Sequence, residues 1–127
     1  MDIFYKLETM KTLSEVVSDL KLNLKENGFG TLFEMNFKDK IKEKGFQLNE
    51  NFIMLEVCNP SIASEILNQN IEIGYLLPCK VVIYEKDRKN FIGLLKPSTL
   101  IDLVDKSFTS IAEEVELTLK EVLQDTV

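Results

Sequence analysis

The apolar positions of the chain change period several times, and each change marks an element. Ile3, Tyr5 and Leu7 alternate with polar residues, the two-residue period of a strand. Thr12-Leu13-Ser14-Glu15 then reads as a capping box, and Leu13, Val16, Val17, Leu20 and Leu24 follow at helical spacing up to a stop at Gly28. Alternation resumes from Phe29 to Met35, predicting a second strand with Phe29, Thr31, Phe33 and Met35 on one side. Asn36 can cap a short helix through Phe37 and Ile41 that ends at Gly45, with its lysines and acids on a solvated face.

Residues Phe52 to Val57 are apolar on both faces apart from Glu56, as in a central strand. Cys58-Asn59-Pro60 reads as strand end, N-cap and first helical residue, because proline's fixed φ suits the first turn and its missing N–H costs nothing there. Ile62, Ala63, Ile66 and Leu67 carry that helix to about Asn68. A loop or turn spans Ile71 to Leu77, and Pro78-Cys79 leads into a strand over Lys80 to Glu85. The polar stretch Lys86 to Asn90 has the length of a hairpin loop before a partner strand, Phe91 to Leu95. Lys96-Pro97-Ser98 opens a helix with Leu100, Ile101, Leu103 and Val104, and a last helix runs from about Ser107 with Phe108, Ile111, Val115, Leu119 and Val122 inward.

The order β α β α β α β β α α, with short connections and no repeat, predicts one α+β domain over residues 1–127. The hairpin breaks regular βαβ alternation and favours a two-layer sandwich, a mostly antiparallel sheet with helices on one face, over a doubly wound parallel sheet. A chain of 127 residues, 45% hydrophobic and 28% charged, is large enough to build a core without a disulfide or a structural metal.

Composition narrows the chemistry. The chain has no histidine, which removes Ser-His-Asp triads, Cys-His dyads and histidine metal sites, so an enzyme of the familiar hydrolytic kinds is not expected. A formal charge of −6 disfavours nucleic acid and anionic membrane as partners unless a local basic patch forms. The acidic surplus is concentrated in residues 102–127, where seven acids face two bases. With no apolar run long enough to span a bilayer and no export signal, the expected compartment is the reducing cytoplasm, where two cysteines are ordinarily free thiols.

Those cysteines are the candidate site. Cys58 precedes a helix N-terminus, whose dipole and unpaired N–H groups favour a thiolate, although a cysteine is also a common small core residue. If the strands ending at Val57 and beginning near Lys80 are antiparallel neighbours, Cys58 and Cys79 come together, and a Cα separation below about 7 Å permits a bridge or a shared ligand. Two thiols do not make a zinc site, which takes four ligands, and no metal or other cofactor is expected within one chain. Asn59, Pro60 and Pro78 would support the thiol site. Gly28-Phe29-Gly30 lacks the spacing of a dinucleotide fingerprint and reads as a helix stop with close packing. Glu56 and Glu85 would act as a carboxylate pair only if they converged in one cleft.

Gly28-Phe29-Gly30, Cys58-Asn59-Pro60 with Ala63, Gly74-Tyr75-Leu76-Leu77-Pro78-Cys79 and Val81-Val82-Ile83-Tyr84-Glu85, in this order and spacing, resemble the domain-of-unknown-function family 302 over about residues 3–123. The resemblance implies a small bacterial or archaeal α+β domain that often forms a homodimer, and a branch in which cysteines stand before Asn-Pro and after Leu-Pro, the positions of Cys58 and Cys79. It also implies that glycine replaces the first cysteine in other branches, and that some relatives are encoded beside sulfur-handling proteins. The chain departs from the family in having Lys96 where an aspartate commonly precedes the proline, and no glycine in the hairpin. Two functional readings stand at this point. One is a domain whose Cys58 and Cys79 serve redox sensing, sulfur relay or ligand capture. The other is a non-catalytic module with inert cysteines that binds a partner protein or a small ligand.

Overall fold

The computed structural model describes residues 2–127. Five strands form one sheet in the order β1-β5-β4-β3-β2, every neighbouring pair antiparallel. They are β1 (Phe4–Thr9), β2 (Gly30–Asn36), β3 (Phe52–Cys58), β4 (Cys79–Lys86) and β5 (Lys89–Leu95). The helices are α1 (Leu13–Glu26), α2 (Phe37–Glu43), α3 (Pro60–Gln69), α4 (Pro97–Val104) and α5 (Thr109–Thr126). The fold is the α+β sandwich that the hydrophobic pattern predicts. No helix among the described residues is long and apolar enough to cross a membrane.

Local signals fix the helix ends. Thr12 and Glu15 form the reciprocal capping box at the start of α1, and Gly28 ends the following turn at φ +84°, a conformation that a side chain would strain. Asn36 and Asn59 cap α2 and α3 through their side-chain oxygens. The stretch expected as a loop after α3 is a 3-10 helix, Ile71–Leu76, in which Asn70 caps the first turn by accepting from the Glu72 N–H. The final helix starts at Thr109 after a 3-10 turn, Lys106–Phe108, rather than at Ser107.

Two strand details differ from the sequence pattern. A bulge between Thr31 and Phe33 breaks the alternation of β2, so Thr31 lies opposite the core residue Val57 while Phe33 lies opposite Glu56 on the other face. Phe33 and Met35 therefore do not share a side with Phe29 and Thr31. The hairpin after β4 is also tighter than five residues, because Lys86 pairs with Lys89 and only Asp87 and Arg88 turn the chain. Both are left-handed (φ 52° and 65°), the pairing whose twist suits a two-residue hairpin, and its polar, exposed strand ends disguise it as a loop.

One face of the sheet is covered. Val16, Leu20 and Leu24 of α1 and Val115, Leu119, Val122 and Leu123 of α5 bury against Leu55, Val57, Val81, Ile83, Ile92 and Leu94. Burying each such side chain contributes about 1.5–3 kcal/mol. A second cluster, Ile66, Ile73, Ile101, Phe108 and Ala112, joins α3, the 3-10 helix and α4 to α5. On the opposite face Phe52, Tyr84 and Phe91 stack across three strands at 5.6 and 5.4 Å, and Phe37 of α2 packs edge-on against Phe52.

The seam between the two clusters is held by one buried carboxylate. Lys96 provides no side-chain cap for α4; Glu116 of α5, 9% exposed, instead accepts from the Ser98 N–H (3.1 Å) and hydroxyl (2.7 Å), with Lys120 at 3.2 Å. Burial pushes the Glu116 carboxyl up, but the Ser98 hydroxyl and N–H and the Lys120 ammonium more than offset it, leaving its pKa below the ordinary value. Its contribution is thus present above the ordinary glutamate range and is lost as pH falls through the folded-state value. Glu116→Ala should cost about 1–2 kcal/mol in urea unfolding at pH 7, and Glu116→Gln should flatten the fall of stability between pH 5 and 3; unchanged curves for both variants would show that α4 needs no such anchor.

Candidate functional site

The register of the central strands places the two cysteines. Val57 lies directly opposite Cys79, so Cys58 stands one position beyond that pair on the β3–β4 ladder, where strict alternation turns its side chain to the other face. Standard strand geometry puts their Cα atoms about 6 Å apart, within the Cα range of a bridge, which further requires converging Cβ vectors. Neither is bridged. Val57 and Cys79 face the covered side, where Cys79 packs against the main core. Cys58 is the last residue of its strand, and the chain there leaves the sheet for α3, so both cysteines border one cavity.

That cavity, of about 50 Å³, lies at the seam between the two hydrophobic clusters. Cys58, Cys79 and Phe29 form its sheet-side wall, Ile62 and Ala63 of α3 and Ile101 of α4 its opposite wall. Its lining is almost wholly apolar, and Lys80 is the one charged residue on it. A water occupies roughly 10–15 Å³ on the same measure, so the space admits a ligand of only a few heavy atoms.

The sequence motifs meet here. Gly30 lies opposite Cys58 in the β2–β3 ladder, and a side chain at Gly28 would approach the Asn59 amide nitrogen to 3.3 Å. Asn59 Oδ1 accepts from the Ile62 N–H at 3.2 Å. Asn59, Pro60 and Pro78 thus shape the ends of the elements that carry the two thiols, and Asn59 and Pro78 also touch the cavity. The contributions of Leu100, Ile101 and Val115 escape the sequence pattern, in which they read only as inward positions of the last two helices, and Ala112 does not enter that pattern at all.

The electrostatics differ from the expectation for a cysteine at a helix start. Burial pushes the Cys58 thiol up, and burial together with the nearby Cys58 pushes the Cys79 thiol up to about 11. The helix N-terminus is already occupied: Pro60 has no N–H and Asn59 takes that of Ile62, leaving little to stabilise an anion. Desolvation wins, and both thiols are protonated near neutral pH. Glu56 and Glu85 do not converge. Glu56 lies opposite Lys80 on the uncovered face, whereas Glu85 is five positions further along β4 and alternates onto the other side. A carboxylate-pair active site is therefore absent at these two residues.

No curated protein matches the chain. A crystal structure described as that of an uncharacterized conserved protein DUF302 from Bacillus stearothermophilus has the same fold, with a TM-score of 0.95, 33% identity and complete coverage of both chains. The family model described as Domain of unknown function DUF302 matches residues 5–126, and the chain accordingly belongs to that family.

Proposed function

We propose that the protein is a small-ligand-binding domain and not an enzyme, in which the seam cavity holds a compact apolar or soft ligand beside Cys58 and Cys79. The observation that carries this reading is the coincidence of the apolar cavity with both cysteines of the chain. Of the roles open to a thiol pair, redox sensing and sulfur relay draw on a thiolate nucleophile. Raised thiol pKa values weigh against those two and favour capture. A reducing cytoplasm would keep the pair unbridged, and the homodimer implied by the family is a further part of this reading.

Xenon is a suitable probe, because dry apolar cavities take it up. In amide NMR spectra under xenon pressure, shifts should be confined to residues around the cavity, Cys58, Ile62, Ala63 and Ala112 among them, and should vanish in Ala63→Leu, whose larger side chain fills the space. Diffuse shifts, or shifts that persist in that variant, would overturn the reading.

The Cys79 thiol provides a second measurement. Its folded-state pKa is raised, so between about pH 9 and pH 11 the unfolded chain releases a proton that the folded chain retains, and stability falls with rising pH. Two pKa units correspond to at most about 2.7 kcal/mol. Unfolding free energy measured across this window should decline more steeply for the parent chain than for Cys79→Ala. Parallel curves would mean that the thiol is as well solvated folded as unfolded.

A further inference from the structure

The face of the sheet turned away from α1 and α5 carries a second concavity, which neither cysteine lines. The ladder sets its rows. Val82 lies opposite Gly93 and Gly93 opposite Lys6, so these three residues cross β4, β5 and β1 in one line. Two positions along the strands in one direction stand Tyr84 and Phe91, and two positions in the other stand Lys80, Leu95 and Phe4, all on the same face. A groove of about 640 Å³ opens over the middle line, bordered by Tyr84 and Phe52 on one side and by Phe4 and Leu95 on the other. Gly93 keeps that line low, since a Cβ there would crowd Val82 Cγ2 at 3.2 Å. The volume falls in the range of small-molecule sites, roughly 300–1,000 Å³, and Phe4, 66% exposed, leaves an aromatic ring on its border without a protein partner to cover it.

In a chain of net charge −6 this groove is basic. Lys6, Lys80 and Lys86 line it, and among the described residues none of the three forms an ion pair. Asp2, the one acid on the lining, is taken by Lys96 at 3.0 Å, and Glu56, opposite Lys80 on this face, lies outside the groove. The Lys6 ammonium stands over the Phe91 ring, 5.3 Å from its centroid, which keeps that charge above the sheet. Both faces of Tyr84 are covered by stacking on Phe52 and Phe91, so it offers the groove its edge, the electropositive part of an aromatic ring. We propose that the groove binds a flat aromatic anion, its ring over Val82 and Gly93 between Phe4 and Tyr84, its negative group met by Lys6 and Lys80. The lysines supply charge complementarity to such a ligand, whereas a two-fold contact between copies of this chain would set the basic groove against its own image.

Cinnamate, a flat aromatic carboxylate, is the probe, titrated into the full chain and followed by amide NMR. Saturable shifts centred on Phe4, Lys6, Val82 and Gly93 are expected. Binding should weaken about five-fold when Lys6→Gln is combined with Lys80→Gln, the loss expected of two exposed charge contacts. Both lysines are exposed, and an amide spectrum unchanged away from the groove checks that the double variant folds. Cinnamyl alcohol, the neutral counterpart, needs no variant, and the parent chain should bind it about five-fold or more weakly than cinnamate. Equal binding of the two compounds, undiminished binding in the double variant, shifts centred on Ile62 and Ala63 at the seam cavity, or no saturable shift at millimolar probe would overturn the proposal. Concentration-dependent dimerisation in sedimentation that shifts Phe4 and Val82 without any probe would also overturn it, because the face would then belong to a second copy.

Discussion

The antiparallel ladder between β3 and β4 is the constraint on which everything at the site depends. Its register sets Val57 opposite Cys79 and hence the end of one strand beside the start of the next. A slip of one residue would send the apolar set Ile53, Leu55 and Val57 to the uncovered face. The burial of Leu55, Val57, Val81 and Ile83 against α1 and α5 therefore fixes the register far more strongly than any contact between the cysteines does. The two cysteines reach neighbouring positions on the ladder through the core's requirements, without a bridge.

Above that ladder the chain builds a second, smaller core and leaves a gap where the two meet. α3, the 3-10 helix and α4 pack on one another through Ile66, Ile73 and Ile101, and Glu116 anchors the N-terminus of α4 to α5. A cavity at such a junction forfeits contacts that a continuous core would make. It lies between two well-packed clusters and borders both cysteines of the chain. The same surroundings suppress the thiolate, because what excludes water from the cavity also raises the cost of a charge there.

Much of this was legible in the residues. Thr12 with Glu15, Asn36 and Asn59-Pro60 announce helix starts through local hydrogen bonding, and the hairpin break in the strand–helix alternation announces an antiparallel sheet; both are properties of near neighbours in sequence. The bulge at Thr31–Phe33 was not legible, since it is defined by the partner strand β3. The Asp87–Arg88 turn was hidden because its left-handed residues are not glycine. At the site, the closeness of Cys58 and Cys79 along the ladder followed from the antiparallel topology. Its electrostatics did not: a helix start promises an anion site, and only the structure shows Pro60 and Asn59 using up that promise while burial works against the charge.

The central claim is that Cys58 and Cys79 of one chain border a single cavity where β3 ends and β4 begins. Dibromobimane tests it most directly, because the reagent becomes fluorescent only when two nearby thiols displace both of its bromides. The folded chain, treated at a pH where the thiols ionise, should turn fluorescent and gain the mass of a single bridging bimane within a monomer, and neither Cys58→Ser nor Cys79→Ser should fluoresce. Alkylation of both cysteines by separate reagent molecules without fluorescence, or a bridge that forms only between chains, would contradict it.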